Sequence, residues 1–353
     1  MTQAPWQFWL AEKAQLAGFE SFAALAAAHG LKPGIGRDLY RAVTTAQGTH
    51  DDVLAALAPT GVFPGALTPR VLQDARDTDT TKGLFTLRDG LEIESVLMRH
   101  HGRRNTVCVS SQAGCAYRCA FCATGQAGFN RHLKATEIVD QVLYFNRRLA
   151  EAGEQVTNVV FMGMGEPFHN YQAVRQAVRI LCDESGLSLA RRQVTISTVG
   201  LVPEIRAFAD EEIAVSLAIS LHAPTDEQRS RLMPVNDRYP LSELMAACAD
   251  YASRTGRRIF FEYLMLAGLN DRDEDARALA ALMRQGDYHA NLIPYNATDA
   301  GFTGSAEERV RAFQAILKEA GVPTTVRQPM GRDIAAACGQ LQAETQPRAG
   351  RAG

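Results

Sequence analysis

Thr106-Val107-Cys108-Val109-Ser110 is a short run rich in β-branched residues, and it ends in a polar, glycine-containing loop that reaches Thr124. A helical pattern follows over Thr136–Leu149, then a second strand pattern over Thr157–Met162. The same order recurs downstream. Strand patterns at Gln193–Thr198, Ala214–His222, Arg258–Leu266 and Ala290–Tyr295 alternate with helical ones at Gln172–Cys182, Leu241–Ser253, Glu274–Arg284 and Ala306–Ala320. Six alternating units, several with near-continuous apolar strands, predict an α/β fold with a parallel sheet. Curled round, they make a partial (β/α)6 version of the eight-unit TIM-like barrel, whose active site lies at the strand C-termini. An open doubly wound sheet is the competing architecture. No internal sequence repeat is present.

Upstream of Thr106 the pattern differs. Residues 1–76 read as a small helical N-terminal domain, in which Ala- and Leu-rich segments such as Phe19–His29 and Asp51–Leu57 are broken at Lys32-Pro33-Gly34 and Phe63-Pro64-Gly65. Residues 77–104 read as a β-hairpin extension and linker, because Leu84–Leu87 and Leu91–Met98 flank the turn pair Asp89-Gly90. The barrel core is expected over 105–344 and a disordered tail over 345–353. The run Arg99-His100-His101-Gly102-Arg103-Arg104 joins hairpin to barrel, either as a solvated turn or as a phosphate contact.

Among 353 residues, 46% are hydrophobic and 22% charged, which suits a globular protein with a large core. No apolar run approaches the roughly 20 residues that cross a bilayer. Met1–Leu10 lacks a signal-peptide pattern, so a cytoplasmic location is expected, with no membrane partner. A reducing compartment favours metal-binding or catalytic roles for the seven cysteines over structural disulfides. The net charge of −2 does not announce a nucleic-acid ligand, although a basic surface can be local.

Cys115, Cys119 and Cys122 are spaced C-x3-C-x2-C directly after the first barrel strand. Three thiolates on one loop can hold three corners of an iron–sulfur cluster and leave one iron open. Structural zinc would want four ligands, and the nearest candidate, His132, is ten residues on. Cys182 and Cys248 fall in helical apolar patterns and read as core residues.

The loop Gly114-Cys115-Ala116-Tyr117-Arg118-Cys119-Ala120-Phe121-Cys122 resembles the radical S-adenosylmethionine signature. Further matches are Ser110–Cys115, Gly163-Met164-Gly165-Glu166-Pro167, Ser220-Leu221-His222-Ala223-Pro224, Leu292–Asn296 and Gly331–Leu341. With Cys108 upstream they resemble the RlmN/Cfr family of RNA adenine methyltransferases over roughly residues 83–342. The N-terminal segment matches only loosely, mainly at Gly36–Arg41.

The resemblance implies one 4Fe-4S cluster on Cys115, Cys119 and Cys122, with S-adenosylmethionine as both methyl donor and radical source. It implies that Cys338 carries the methyl group and that Cys108 resolves the adduct through a transient disulfide with Cys338. Glu94 matches the proton acceptor; the rival is Glu92, which shares its strand face. Gly165, Glu166, Ser197, Ser220, Leu221, His222 and Asn296 match cofactor contacts. The implied partners are structured RNA, namely 23S ribosomal RNA and possibly transfer RNA, and a flavodoxin- or ferredoxin-type electron donor. Gly165-Glu166-Pro167 looks more like the enzymes that methylate carbon 2 of adenine than those that methylate carbon 8; a divergent member acting on another RNA is the further alternative within the family. Outside that family, an RNA-binding module stapled by a metal is the alternative; it would need neither Cys108 nor Cys338.

Overall fold

The computed structural model describes residues 67–341, apart from 77, 101–103, 185, 212–214, 299 and 329. The helical domain expected upstream and the tail expected downstream lie outside the described residues, except that Thr68–Asp74 is a strand (β1) and not helix. Its partner β2, Thr80–Thr86, turns at Asp89-Gly90 into β3, Glu92–His100. β3 pairs antiparallel with β4, Arg104–Cys108, so the β-hairpin extends the barrel sheet at its edge.

Beyond β4 all neighbours are parallel: β7 (Asn158–Phe161), β8 (Val194–Thr198), β9 (Ser216–Ser220), β10 (Ile259–Met265), β11 (Tyr288–Pro294) and β12 (Thr324–Val326). The six expected strands are all present in chain order, and β12 adds a seventh parallel one. A separate two-stranded ribbon, β5 (Gln112–Gly114) with β6 (Phe129–His132), brackets the three-cysteine loop.

Helices cover the outer face. After the short α1 (Ala123–Ala127), α2 spans Ala135–Ala150 and buries Ile138, Val142, Phe145 and Leu149, an apolar stripe at helical spacing. Each such side chain contributes about 2 kcal/mol when removed from water. The Glu137 side chain reaches back to the Lys134 N–H at 2.8 Å and satisfies one orphan donor at the helix start. Then come α3 (Tyr171–Cys182), α4 (Val202–Phe208), α5 (Asp226–Leu232), α6 (Leu241–Thr255), α7 (Asp273–Met283) and α8 (Glu307–Glu319).

The sheet curls. Met98 of β3, Cys108 of β4, Val160 of β7, Thr195 of β8, Phe260 of β10 and Asn291 of β11 all line one lumen of about 500 Å³. A flat sheet could not bring strands so far apart in its order to one space. The barrel is incomplete, with edges at β1 and β12. Chain, not strand, bridges them: the Gly331 N–H donates to Thr78 Oγ1 at 3.0 Å, the Arg76 N–H to Asp333 at 2.7 Å, and Thr124 Oγ1 to the Leu341 carbonyl at 2.5 Å.

Candidate active site

The strand C-termini converge on one cavity. Cys115, Cys119 and Cys122 form one wall, Gly165 and Glu166 a second, and Ser197, Ser220 and His222 a third. The loop is tied by backbone bonds from Cys115 N–H to Gly128 at 2.8 Å and from Ala123 N–H to Gly339 at 2.9 Å. Gly114 sits at φ +80, where a Cβ would lie 2.0 Å from the Gly128 carbonyl oxygen, so this crossing requires glycine. Burial pushes the Cys115 thiol up to about 12 and raises Cys119 and Cys122 as well. Among the described residues, no three His, Cys, Asp or Glu side chains converge tightly enough to hold one metal ion. Three thiols on one cavity wall, with no local fourth, are instead a donor set that suits a polynuclear iron–sulfur group with one open corner.

Glu166 is almost fully buried. Its carboxylate accepts from the N–H of Phe168 at 2.9 Å and of Val199 at 2.8 Å, which fixes both oxygens. Burial still raises its pKa to about 7. Its own N–H donates to Gln112 Oε1 at 2.8 Å. Gly165, at φ +101, packs against Gln112 so closely that a Cβ would lie 2.5 Å from the Gln112 Cβ.

The Ser197 and Ser220 hydroxyls are 3.5 Å apart on neighbouring strands. His222 is buried, with Nδ1 accepting from the Leu264 N–H at 3.1 Å. Its second nitrogen therefore carries the proton when the ring is neutral. Burial, with Arg229 nearby, pushes its pKa down to about 3, so neutral is its state. Leu221 is fully buried and lies under the wall, not in it. Asn296 lines the lumen and not the cysteine cavity; it accepts from Arg332 at 2.7 Å.

Cys108 and Cys338, remote in sequence, both line the lumen. Cys338 is exposed and also lines the cysteine cavity, as do Met162, Glu262, Ile293 and Arg327, so these five residues form the boundary between the two spaces. The Cys108 thiol is pushed up to about 12 by burial and by Cys338. Both sulfurs are free: the transient disulfide is not present in this structure. The lumen wall also includes His100 and Arg104, two members of the basic run.

Glu94 stands apart. It is buried and pairs with Lys82 at 3.1 Å, and it lines neither space. Glu92 pairs with Arg70. Of the expected core cysteines, Cys248 is buried and Cys182 half-buried.

The model of the radical SAM superfamily matches residues 109–280. "Dual-specificity RNA methyltransferase RlmN 1" of Myxococcus xanthus is 52% identical over 277 residues, 78% of this chain and 77% of that protein. The chain belongs to the RlmN family of radical SAM methyltransferases. "Ribosomal RNA large subunit methyltransferase N" of Nitrosopumilus maritimus is 46% identical over 281 residues, 78% of this chain and 80% of its own length. A crystal structure of a radical SAM methyltransferase from Sphaerobacter thermophilus superposes with a TM-score of 0.88 at 45% identity, over 94% of this chain and 99% of that one. As in other radical SAM proteins, a 4Fe-4S cluster and S-adenosylmethionine are the implied cofactors. Among the described residues, no helix is long and apolar enough to cross a membrane.

Three residues of this RlmN-family site carry no sequence signal. Arg229, fully buried, donates to the carbonyls of Val199 (2.6 Å), Ser220 (3.2 Å) and Leu221 (3.2 Å) and to Asn236 (3.0 Å). It ties the ends of β8 and β9 together beneath the cavity. Arg327 stands 3.6 Å from Glu262 and 3.7 Å from the Cys338 sulfur; Glu262 raises its pKa. Nothing periodic marks these positions, because their partners come from other elements.

Proposed function

We propose that the chain methylates carbon 2 of an adenine in 23S ribosomal RNA, and in transfer RNA, through a methylated cysteine. The observation that carries the reading is the shared lumen wall of Cys108 and Cys338, with Cys338 also facing the three-cysteine cavity. A sulfur on that boundary can take a methyl group from one space and present it in the other. The resemblance of Gly165-Glu166-Pro167 to the carbon 2 enzymes supports the choice of carbon, and the word "dual-specificity" in the relative's name supports two RNA substrates.

When bound by Cys115, Cys119 and Cys122, the cluster supplies the electron that splits S-adenosylmethionine. Glu166 holds the methionine ammonium, while Ser197, Ser220 and His222 line the rest of its seat; Gly165 keeps the backbone close. The backbone around Leu221 shapes that wall, and Asn296 acts from the lumen side. Cys338 displaces the methyl from a first S-adenosylmethionine, forming a carbon–sulfur bond as the sulfonium bond breaks. A 5′-deoxyadenosyl radical from a second S-adenosylmethionine would take a hydrogen atom from this methyl, leaving as 5′-deoxyadenosine, and the methylene carbon would add to the adenine ring. Glu94 takes the ring proton, after substrate displaces its Lys82 contact. The Cys108 sulfur then attacks the Cys338 sulfur, forming a disulfide as the carbon–sulfur bond breaks; the methylene gains a proton to become the product methyl, and the unpaired electron left by the addition would pass back to the electron-transfer partner. A flavodoxin- or ferredoxin-type protein supplies electrons. His100 and Arg104 on the lumen wall fit phosphates beside the extruded adenine.

Cys108→Ala tests the assignment. This variant accepts the methyl and adds it to RNA but has no sulfur to resolve the link. A slower, nuclease-sensitive band that survives thiol reductants is expected on a denaturing gel. Cys108→Ala/Cys338→Ala should lose that band. An adduct from Cys338→Ala alone would reverse the two roles, and adduct-free inactivity of both single variants would remove them.

A further inference from the structure

Glu262 is a buried carboxyl with no part in the steps proposed above. It sits in the middle of β10 and lines both the cysteine cavity and the lumen. One of its oxygens is held. Oε1 accepts from Asn291 Nδ2 at 2.9 Å, and Asn291 Oδ1 accepts in turn from Thr325 Oγ1 at 2.5 Å, which keeps the amide turned with its N–H toward Glu262. The other oxygen is open: among the described residues no hydrogen-bond donor reaches Oε2. Arg327 stands 3.6 Å away, too far for a hydrogen bond. A buried acceptor left open in this way is costly, and it calls for a donor that arrives from outside.

Three atoms follow one another along the boundary between the two spaces. Arg327 Nη1 is 3.7 Å from Cys338 Sγ, and Glu262 Oε2 is 3.6 Å from that same nitrogen. In chemical terms the order is sulfur, donor, acceptor. One edge of adenine runs in the matching order: carbon 2, then N1, which accepts, then the amino group on carbon 6, which donates. A base whose carbon 2 meets the sulfur-borne carbon therefore turns N1 toward Arg327 and its amino group toward Glu262. Val160, Phe260 and Ile293 line the lumen and give the flat ring apolar surface to lie against.

We propose that Glu262 and Arg327 read the Watson–Crick edge of the substrate adenine, Glu262 Oε2 accepting from the amino group and Arg327 donating to N1. The inference rests on the carbon 2 reading above. Arg327 lies just past the end of β12 with its side chain a third exposed, so it can turn from Oε2 to N1 as the base enters. Guanine is refused. It presents O6 where Glu262 needs a hydrogen and N1–H where Arg327 offers one, and it already carries an amino group on carbon 2. S-adenosylmethionine has an adenine with the same amino group. The ring carbon that has to meet the Cys338 sulfur belongs to the RNA, however, and Glu166, the seat of the cofactor ammonium in that reading, lines the cysteine cavity and not the lumen.

Atom deletions on both sides of the contact test this. Short hairpins from the methylated segment of 23S ribosomal RNA carry adenine, purine (which lacks the amino group), 1-deazaadenine or 7-deazaadenine at the methylated position. Their affinities for the reconstituted holoenzyme are read by fluorescence anisotropy without reductant, so that no turnover intervenes. The wild-type protein should bind the adenine hairpin about tenfold more tightly than the purine and 1-deazaadenine ones, and the 7-deazaadenine hairpin as well as adenine. In Glu262→Gln the amide oxygen stays on Asn291 and an N–H faces the amino group, so adenine and purine hairpins should bind alike. Its affinity for S-adenosylmethionine in equilibrium dialysis should match wild type. Equal wild-type affinity for adenine and purine hairpins, a result that needs no variant to fold, would overturn the proposal. So would a Glu262→Gln protein that loses cofactor affinity and keeps its preference for adenine, or a wild-type loss with 7-deazaadenine in place of 1-deazaadenine. Mass spectrometry of the adenine hairpin after turnover checks the underlying reading separately: a product with no methyl on carbon 2 would refute that reading, while the affinities decide the base contact by themselves.

Discussion

Replacing Arg229 by Met keeps length and apolar bulk but removes the strut beneath the cavity. Three backbone carbonyls, of Val199, Ser220 and Leu221, lose their guanidinium donor in a place with no solvent access. The Leu221 carbonyl keeps the Ala223 N–H at 2.8 Å, but the Asn236 amide oxygen is stranded with the Val199 and Ser220 carbonyls; at about 1–3 kcal/mol for each unsatisfied buried acceptor, the loss centres on about 6 kcal/mol. An offset comes from no longer burying a cation. Burial draws the Arg229 pKa from 12.5 down to about 10, which at 1.36 kcal/mol per unit corresponds to roughly 3 kcal/mol. The net cost is on the order of 3 kcal/mol, or a fall of about 6 °C in Tm for a chain of this size. The Val199 peptide that loses Arg229 on its carbonyl side also donates to Glu166 from the next peptide plane, so affinity for S-adenosylmethionine should fall with stability. Thermal unfolding followed by circular dichroism reads the first effect, and equilibrium dialysis with labelled cofactor the second. Arg229→Lys should recover only part of either, since one ammonium cannot span four acceptors. A Met variant that both melts at the wild-type temperature and binds S-adenosylmethionine at wild-type affinity would refute the strut.

Gly165→Ala puts a Cβ 2.5 Å from that of Gln112 at a φ of +101, and the positive φ alone costs about 1–3 kcal/mol. The Gly-Met-Gly-Glu segment must then move off Gln112, so cofactor binding by equilibrium dialysis should collapse; wild-type affinity would contradict the close packing. Glu166 offers a pH test. With a pKa of about 7 when folded against 4.5 for the ordinary carboxyl, the folded chain keeps a proton that the unfolded chain has lost between those values. The stabilisation is full below about 4.5 and is lost as pH rises through about 7, roughly 3 kcal/mol in all. Urea unfolding at pH 5.5 and 8 should show this slope in wild type and a flatter one in Glu166→Gln; parallel slopes would rule it out. Cofactor binding should run the other way, strengthening above pH 7 as the carboxylate ionises to meet an ammonium.

The six parallel strands were legible because one face of each is buried and most residues of the other are at least half-buried, which leaves several near-continuous apolar runs in the chain. β1 was not. Its Thr-Pro-Arg-Val-Leu-Gln-Asp sequence belongs to an edge strand, bulged between Pro69 and Val71 and largely exposed, where polar residues and proline are tolerated. The ribbon of β5 and β6 and the last strand β12 are three or four residues long, too short to show a period. Within the site, the cysteines announce themselves by spacing and by their match to a family pattern. Glu94 and Glu92 could not be told apart, since strand alternation puts both on one face; only tertiary contact gives one to Lys82 and the other to Arg70. Arg327, just past β12, and Glu262, in the middle of β10, carry no cue in the sequence until folding sets Arg327 between Glu262 and Cys338.

The span from Arg327 to Leu341 closes the barrel without adding a strand, and it carries the thiol that touches both spaces. Its holds on the rest of the molecule include polar contacts to Thr78, Arg76, Asn296, Thr124, Ala123, Ala297, Leu292 and Glu262, and Ala336 and Leu341 pack into the core. A ladder of strand bonds would have made that seam part of the sheet; here a belt of irregular chain closes it through separate contacts. The reactive group is thus mounted on the belt, while the cluster loop and the seven parallel strands form the rest of the wall. In this architecture, inventing a new acceptor chemistry requires retailoring the belt, not the barrel.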